Sequence, residues 1–183
     1  MRFVLSGVVL LAALVVGFFY VEDTQPSWYA RLRYPLEYEH IVRGHAHQYD
    51  LDPALLAAVI YRESKFDPDA RSSSGAIGLM QLLPDTAEGI AQLTGGNRFE
   101  VDDLYDPEIN VRYGSFYLRR LLQKYDDERL ALAAYNAGQA NVDEWIAEGE
   151  EGIPFPETRE FVDNVLEARE VYARAYADEL GLD

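Results

Sequence analysis

Beyond residue 35 the apolar positions recur at three- and four-residue intervals, and no stretch alternates with the two-residue period of a half-buried strand. This pattern predicts helices from Leu36 to Tyr49, over 53–63, from Pro84 to the glycine pair at 95–96, and from Pro107 to about Tyr125. Two short helices follow in "DERLALAAYNAG", ending at Gly138, and "ANVDEWIAEG", ending at Gly149. A long one runs from about Glu157 to Leu180. Pro84 and Pro107 suit first helical turns, where the missing N–H has no partner in any case, and the double glycine suits a C-terminal cap. Val111, Phe116, Leu118 and Leu122 in the fourth helix, and Phe161, Val165, Leu166, Val171 and Tyr172 in the last, are candidates for the core. The expectation is one all-α domain over 36–183 with no internal repeat.

The first 35 residues follow another pattern. "FVLSGVVLLAALVVGFFYV", residues 3–21, is nineteen residues without a charge, close to the roughly 20 that a membrane-spanning helix needs. It is longer than the usual apolar region of a signal peptide. It also closes on Phe18, Phe19, Tyr20 and Val21 without a small-residue cleavage pattern. The reading is a transmembrane anchor over 1–21 and a linker over 22–35, with a cleaved signal peptide as the alternative. Arg2 lies on one side of the run and Arg31 and Arg33 beyond the other, so the positive-inside rule discriminates weakly. The very short N-terminal flank favours a cytoplasmic amino terminus, which puts the domain on the extracytoplasmic side of the cytoplasmic membrane. Trp28 and Tyr29 suit an interfacial aromatic belt, and equally the packing of a domain boundary.

One helix ends in an unexpected residue. In "DPALLAAVIYRES", residues 52–64, Asp52 suits an N-cap and Pro53 the first turn, while Leu55, Leu56, Val59 and Ile60 form an apolar stripe that Glu63 continues. A carboxylate that loses water without a partner is disfavoured, so its pKa rises, and a helix C-terminus pushes the same way. These conditions suit a general acid. A helix that frays after Ile60, with Arg62 and Lys65 beside it, would instead leave an ordinary surface glutamate. Between this helix and the next, "DPDARSSSGAIGLMQLLP" turns tightly and carries Gln81 into an apolar setting.

Sixteen basic against 32 acidic residues, a net charge of −16, argue against a nucleic-acid groove. The absence of cysteine removes disulfides, thiol catalysis and sulfur-ligated metal. His40, His45 and His47 invite a metal reading, but the i and i+2 pair, His45 and His47, does not share a helical face. The "DPDARSSSG" segment lacks the glycine and terminal glutamate of a calcium loop. Neither a metal nor a cofactor is expected.

Four segments stand in order: "ES" at 63–64, "SSSGAIGLMQL" at 72–82, "AYNAG" at 134–138 and "IPFPETREFV" at 153–162. Together they resemble the soluble lytic transglycosylase family, the peptidoglycan-cleaving members of the lysozyme-like superfamily, over roughly residues 36–176. The resemblance implies a lysozyme-like fold and a groove for alternating N-acetylglucosamine and N-acetylmuramic acid. Glu63 matches the family's catalytic acid, which protonates the glycosidic oxygen. As a carboxylate it then takes a proton from the muramoyl 6-hydroxyl, leaving a 1,6-anhydro end. Ser72 matches a serine that hydrogen-bonds the acid, Gln81 a polar cleft residue, and Tyr135 a tyrosine near the acid and the N-acetyl group. Asn136 is its neighbour in the motif, and Glu157 matches a second acid in the cleft. Leu83 stands where several relatives carry a methionine against the sugar. A hydrolytic muramidase of the same fold and a non-catalytic peptidoglycan-binding module are the alternatives.

Overall fold

The computed structural model describes residues 11, 14–21, 24, 26–96 and 98–182, and the chain divides into two units, Met1–Pro35 and Leu36–Asp183. In the first unit residues 14–21 are helical, with residues 14–20 exposed, and Thr24 Oγ1 donates back to the Tyr20 carbonyl at 2.7 Å. Most of the apolar run expected to form the anchor lies outside the described residues. Among the described residues no helix is long and apolar enough to cross a membrane. The segment 22–35, expected as a linker, contains a helix, α1 (Ser27–Arg33), preceded by Pro26 in an extended conformation with ψ of 149°. Alanine, leucine and two arginines are good helix formers, and Pro26 fits ahead of a first turn because it gives up no intrahelical bond there.

The second unit is all-α. It comprises α2 (Glu39–Tyr49), α3 (Pro53–Ser64), α4 (Pro84–Thr94), α5 (Pro107–Tyr125), α6 (Glu128–Ala137), α7 (Gln139–Glu148), α8 (Pro156–Ala175) and the short α9 (Ala177–Leu180). A 3₁₀ turn over Val101–Tyr105, which the periodicity does not reveal, precedes α5. The long final helix expected to reach Leu180 breaks at Tyr176, and its Phe161 and Leu166 are only partly buried, whereas Val165, Val171 and Tyr172 are in the core.

The helix α3 is the axis of the domain. Every residue from Ala54 to Ile60 is buried, so it is apolar all round rather than along one stripe. It packs most extensively on α8. Asp52 caps it, accepting from the Ala54 N–H at 2.8 Å. The same carboxylate receives Arg169 Nε of α8 at 2.6 Å, and Arg169 Nη1 reaches Glu128 at the start of α6 at 2.8 Å. One guanidinium therefore ties the acidic N-termini of two helices to a third, where negative charge is favoured by the helix dipole. Lys65 and Phe66, both left-handed (φ 55° and 65°), end α3 and turn the chain sharply past Glu63.

Candidate active site

The loop after α3 folds back over its C-terminal turn. Antiparallel bridges pair Ile77 with both Arg71 and Leu82, and Gly78, at φ +79°, lies so close to Asn110 and the Leu104 carbonyl that a Cβ would collide with both. Four successive carbonyls of this turn each accept from a different side chain. Asn110 Nδ2 donates to Ile77 O at 2.9 Å and Gln81 Nε2 to Gly78 O at 2.9 Å. Ser64 Oγ donates to Leu79 O at 2.8 Å, and the Tyr135 hydroxyl to Met80 O at 2.7 Å. Asn110, fully buried in α5, also accepts the Met80 N–H at 2.8 Å and donates to Leu104 O at 2.8 Å. A turn whose carbonyls from Ile77 to Met80 are all engaged is rigid, because releasing any of them leaves an unsatisfied group.

The rigid turn forms one wall of a cleft of about 390 Å³. Glu63, Ser72, Gln81, Leu83, Tyr135 and Asn136 all line it, joined by Thr86 and by Tyr117 of α5, so the segments quoted from three distant parts of the chain converge. Glu63 is partly buried, and among the described residues its carboxyl makes no hydrogen bond or ion pair. Desolvation raises its pKa from the ordinary 4.5 to about 8, with the Arg62 charge opposing the shift. It is the only carboxyl group among the described residues lining the cleft. Burial also lifts the Tyr135 hydroxyl well above its usual range, reinforced by the nearby Glu63. Since its proton is directed at Met80 O, Tyr135 offers the cleft an acceptor and not a donor.

Other expected site residues have more local roles. The Ser72 hydroxyl accepts the Ala76 N–H at 3.0 Å and so closes the serine-rich turn. Gln81, strained at φ 47°, spends its amide N–H groups on Ala70 O and Gly78 O. Leu83 is 44% exposed at the cleft rim, an apolar surface without a structural need for burial. Glu157 is not brought to this cleft: it stands exposed in the first turn of α8, outside the lining residues. Tyr117 and Asn110 are contributors that sequence reasoning passes over. The Tyr117 ring lies 5.5 Å from that of Tyr135, and an asparagine on the buried face of α5 is the signal that could have marked Asn110.

A larger concavity, about 700 Å³, is lined by His40, Arg43, His47 and Leu180. It holds no buried carboxyl, so chemistry rather than size marks the site. The third histidine, His45, is buried instead and bonds Glu108 at 2.9 Å and Gln48 at 3.1 Å.

Residues 40–153 match the family described as "Transglycosylase SLT domain". The soluble lytic murein transglycosylase of Salmonella typhimurium is 33% identical over 160 residues, covering 79% of this chain and 24% of that protein. Membrane-bound lytic murein transglycosylase F of Yersinia pestis is 38% identical over 134 residues, 69% of this chain and 25% of that one. Among solved structures, an inactive mutant of lytic transglycosylase Slt from Pseudomonas aeruginosa superposes with a TM-score of 0.74 at 32% identity, over 84% of this chain and 26% of that one. The 70 kDa soluble lytic transglycosylase of Escherichia coli superposes at 0.76 and 30% identity, over 84% and 27%. The chain thus spans about a quarter of the length of the relatives it matches.

Proposed function

Because this chain, with its all-α lysozyme-like fold, belongs to the transglycosylase SLT domain family, we propose that it cleaves the β-1,4 bond between N-acetylmuramic acid and N-acetylglucosamine in peptidoglycan, forming 1,6-anhydromuramoyl ends. The observation that carries this reading is a single desolvated carboxyl on the cleft wall. With its pKa near 8, Glu63 is protonated at neutral pH and can donate to the glycosidic oxygen. Once ionised it is a carboxylate in a poorly solvated site and a correspondingly strong base. It recovers a proton from the muramoyl 6-hydroxyl as that oxygen closes on the anomeric carbon, and it ends the cycle in the state in which it began.

Glycosidases that use water generally work with two carboxyl groups. The cleft lining supplies one, which favours an intramolecular hydroxyl as the attacking group. Tyr135, an acceptor towards the cleft, is suited to an acetamido N–H, and Leu83 with Tyr117 to the apolar faces of sugar rings. The test is mass spectrometry of products released from purified peptidoglycan by the full chain, beside Glu63→Gln. Muropeptides lighter by one water and lacking a reducing end, absent with the variant, are expected. Reducing ends would make the enzyme a muramidase, and binding without products would make it a recognition module.

On this reading the domain acts outside the cytoplasmic membrane, with the apolar run at 3–21 as an uncleaved anchor. Exposed Leu14, Val15, Val16, Phe18, Phe19 and Tyr20 on the helical residues 14–21 support this reading. Mature protein that begins after residue 21 and stays in the soluble fraction would remove it.

A further inference from the structure

Of the large apolar side chains that stand exposed among the described residues, nine lie in the first 32 positions, and the last two of these, Trp28 and Leu32, belong to α1 and not to the apolar run. Trp28 is 62% exposed and Leu32 76%, whereas Ala30 between them is buried. At about 100° per residue, positions 28 and 32 lie roughly 40° apart on one face of a helix, with position 30 on the opposite side. The aromatic edge is broadened by Tyr29, whose ring packs against Trp28 at 5.8 Å. Arg31 and Arg33 occupy the last turn, in a chain where acids outnumber bases by 32 to 16. Pro26 is extended immediately ahead of α1, so α1 begins as a helix of its own.

We infer that α1 is an interfacial helix, seating Trp28 and Leu32 among the lipid headgroups and acyl carbonyls of an anionic bilayer with Arg31 and Arg33 towards lipid phosphates. The occupant follows from three features. Tryptophan beside leucine is the pairing that favours the boundary between water and hydrocarbon. The adjoining apolar run brings this face to a membrane, and for that proximity alone the inference rests on the anchoring reading above. The arginines match an anionic surface, which attracts basic residues beside a membrane-seated segment.

The experiment uses the full chain in vesicles of phosphatidylcholine, with and without phosphatidylglycerol, and records flotation and fluorescence on the same samples. The chain has two tryptophans, and Trp145 is buried, so the wild-type spectrum minus that of Trp28→Phe isolates Trp28. Its emission is expected to shift to the blue and to lose roughly half its intensity to lipids brominated near the carbonyls, as an interfacial indole does. The loss should be larger with phosphatidylglycerol, and the double variant R31E/R33E should remove that excess while leaving quenching in phosphatidylcholine. Protein that floats with the vesicles while Trp28 keeps a water-like, unquenched spectrum overturns the inference and leaves the anchor standing. So does a blue shift that grows with protein concentration without lipid quenching, since that face would then be covered by a second copy. Protein that does not float overturns the anchor and this inference together.

Discussion

In the proposed reaction Glu63 carries the chemistry, because of where α3 ends. A pKa near 8 predicts that turnover falls as pH rises through about 8, since the donor form is lost; a rate profile across that range measures it. Glu63→Gln, which can neither donate nor accept the proton, is expected to lower turnover on the order of 10³-fold with little loss of peptidoglycan binding. The same shift has a stability consequence of definite sign. Below the ordinary 4.5 the carboxyl is protonated in folded and unfolded chains alike. Between 4.5 and about 8 the unfolded chain sheds the proton first, so the folded state loses stability progressively, and above 8 the loss is complete. Glu63→Gln does not ionise and should be more stable than wild type at pH 8, by on the order of 4 kcal/mol in urea unfolding, and nearly equal to it at pH 4.5. Glu63 was legible in the sequence as a carboxyl at the end of an apolar helix. Asn110 was not, because the groups that require it, Ile77 O, Met80 N–H and Leu104 O, come from segments that local periodicity does not relate.

At the scale of elements, most helix positions could be read from apolar spacing, proline and glycine, and the ends of α3, α4 and α5 fall within a residue or two of expectation. What could not be read is the turn over 77–81, whose conformation is set by donors from three separate helices, Ser64, Asn110 and Tyr135, together with its own Gln81. Asn110→Ala withdraws three hydrogen bonds from a buried site and is expected to destabilise the domain by about 3 kcal/mol or more. It should lower turnover as well, because the cleft wall loses its fixed shape. Tyr135→Phe withdraws only the bond to Met80 O and the cleft acceptor. An expected cost of about 1 kcal/mol in unfolding, with a turnover loss well beyond what that destabilisation explains, would separate its positioning of substrate from its structural bond. Glu157 stands outside the residues that line the cleft, and its place in the sequence has a second physical reason. A glutamate in the first turn of a long helix is favoured by the dipole whether or not substrate is near.

For the whole molecule, a net charge of −16 sets the long-range field. Anionic wall polymers should repel it, and the rate on such substrates should rise with added salt up to screening near 0.1–0.2 M; a rate flat across ionic strength counts against this. The chain divides at Pro35, and α1, within the segment expected as a linker, was not legible, being only seven residues long. The burial of α3 has a bearing on biosynthesis. Its main cover, α8, does not begin until Pro156, about a hundred residues later in the chain. While the polypeptide emerges amino terminus first, the most apolar helix of the domain has been made and its cover has not. The domain must therefore complete its fold late, after nearly all of it has emerged, and until then Ala54 to Ile60 are a surface for chaperones to hold or for neighbouring chains to stick to.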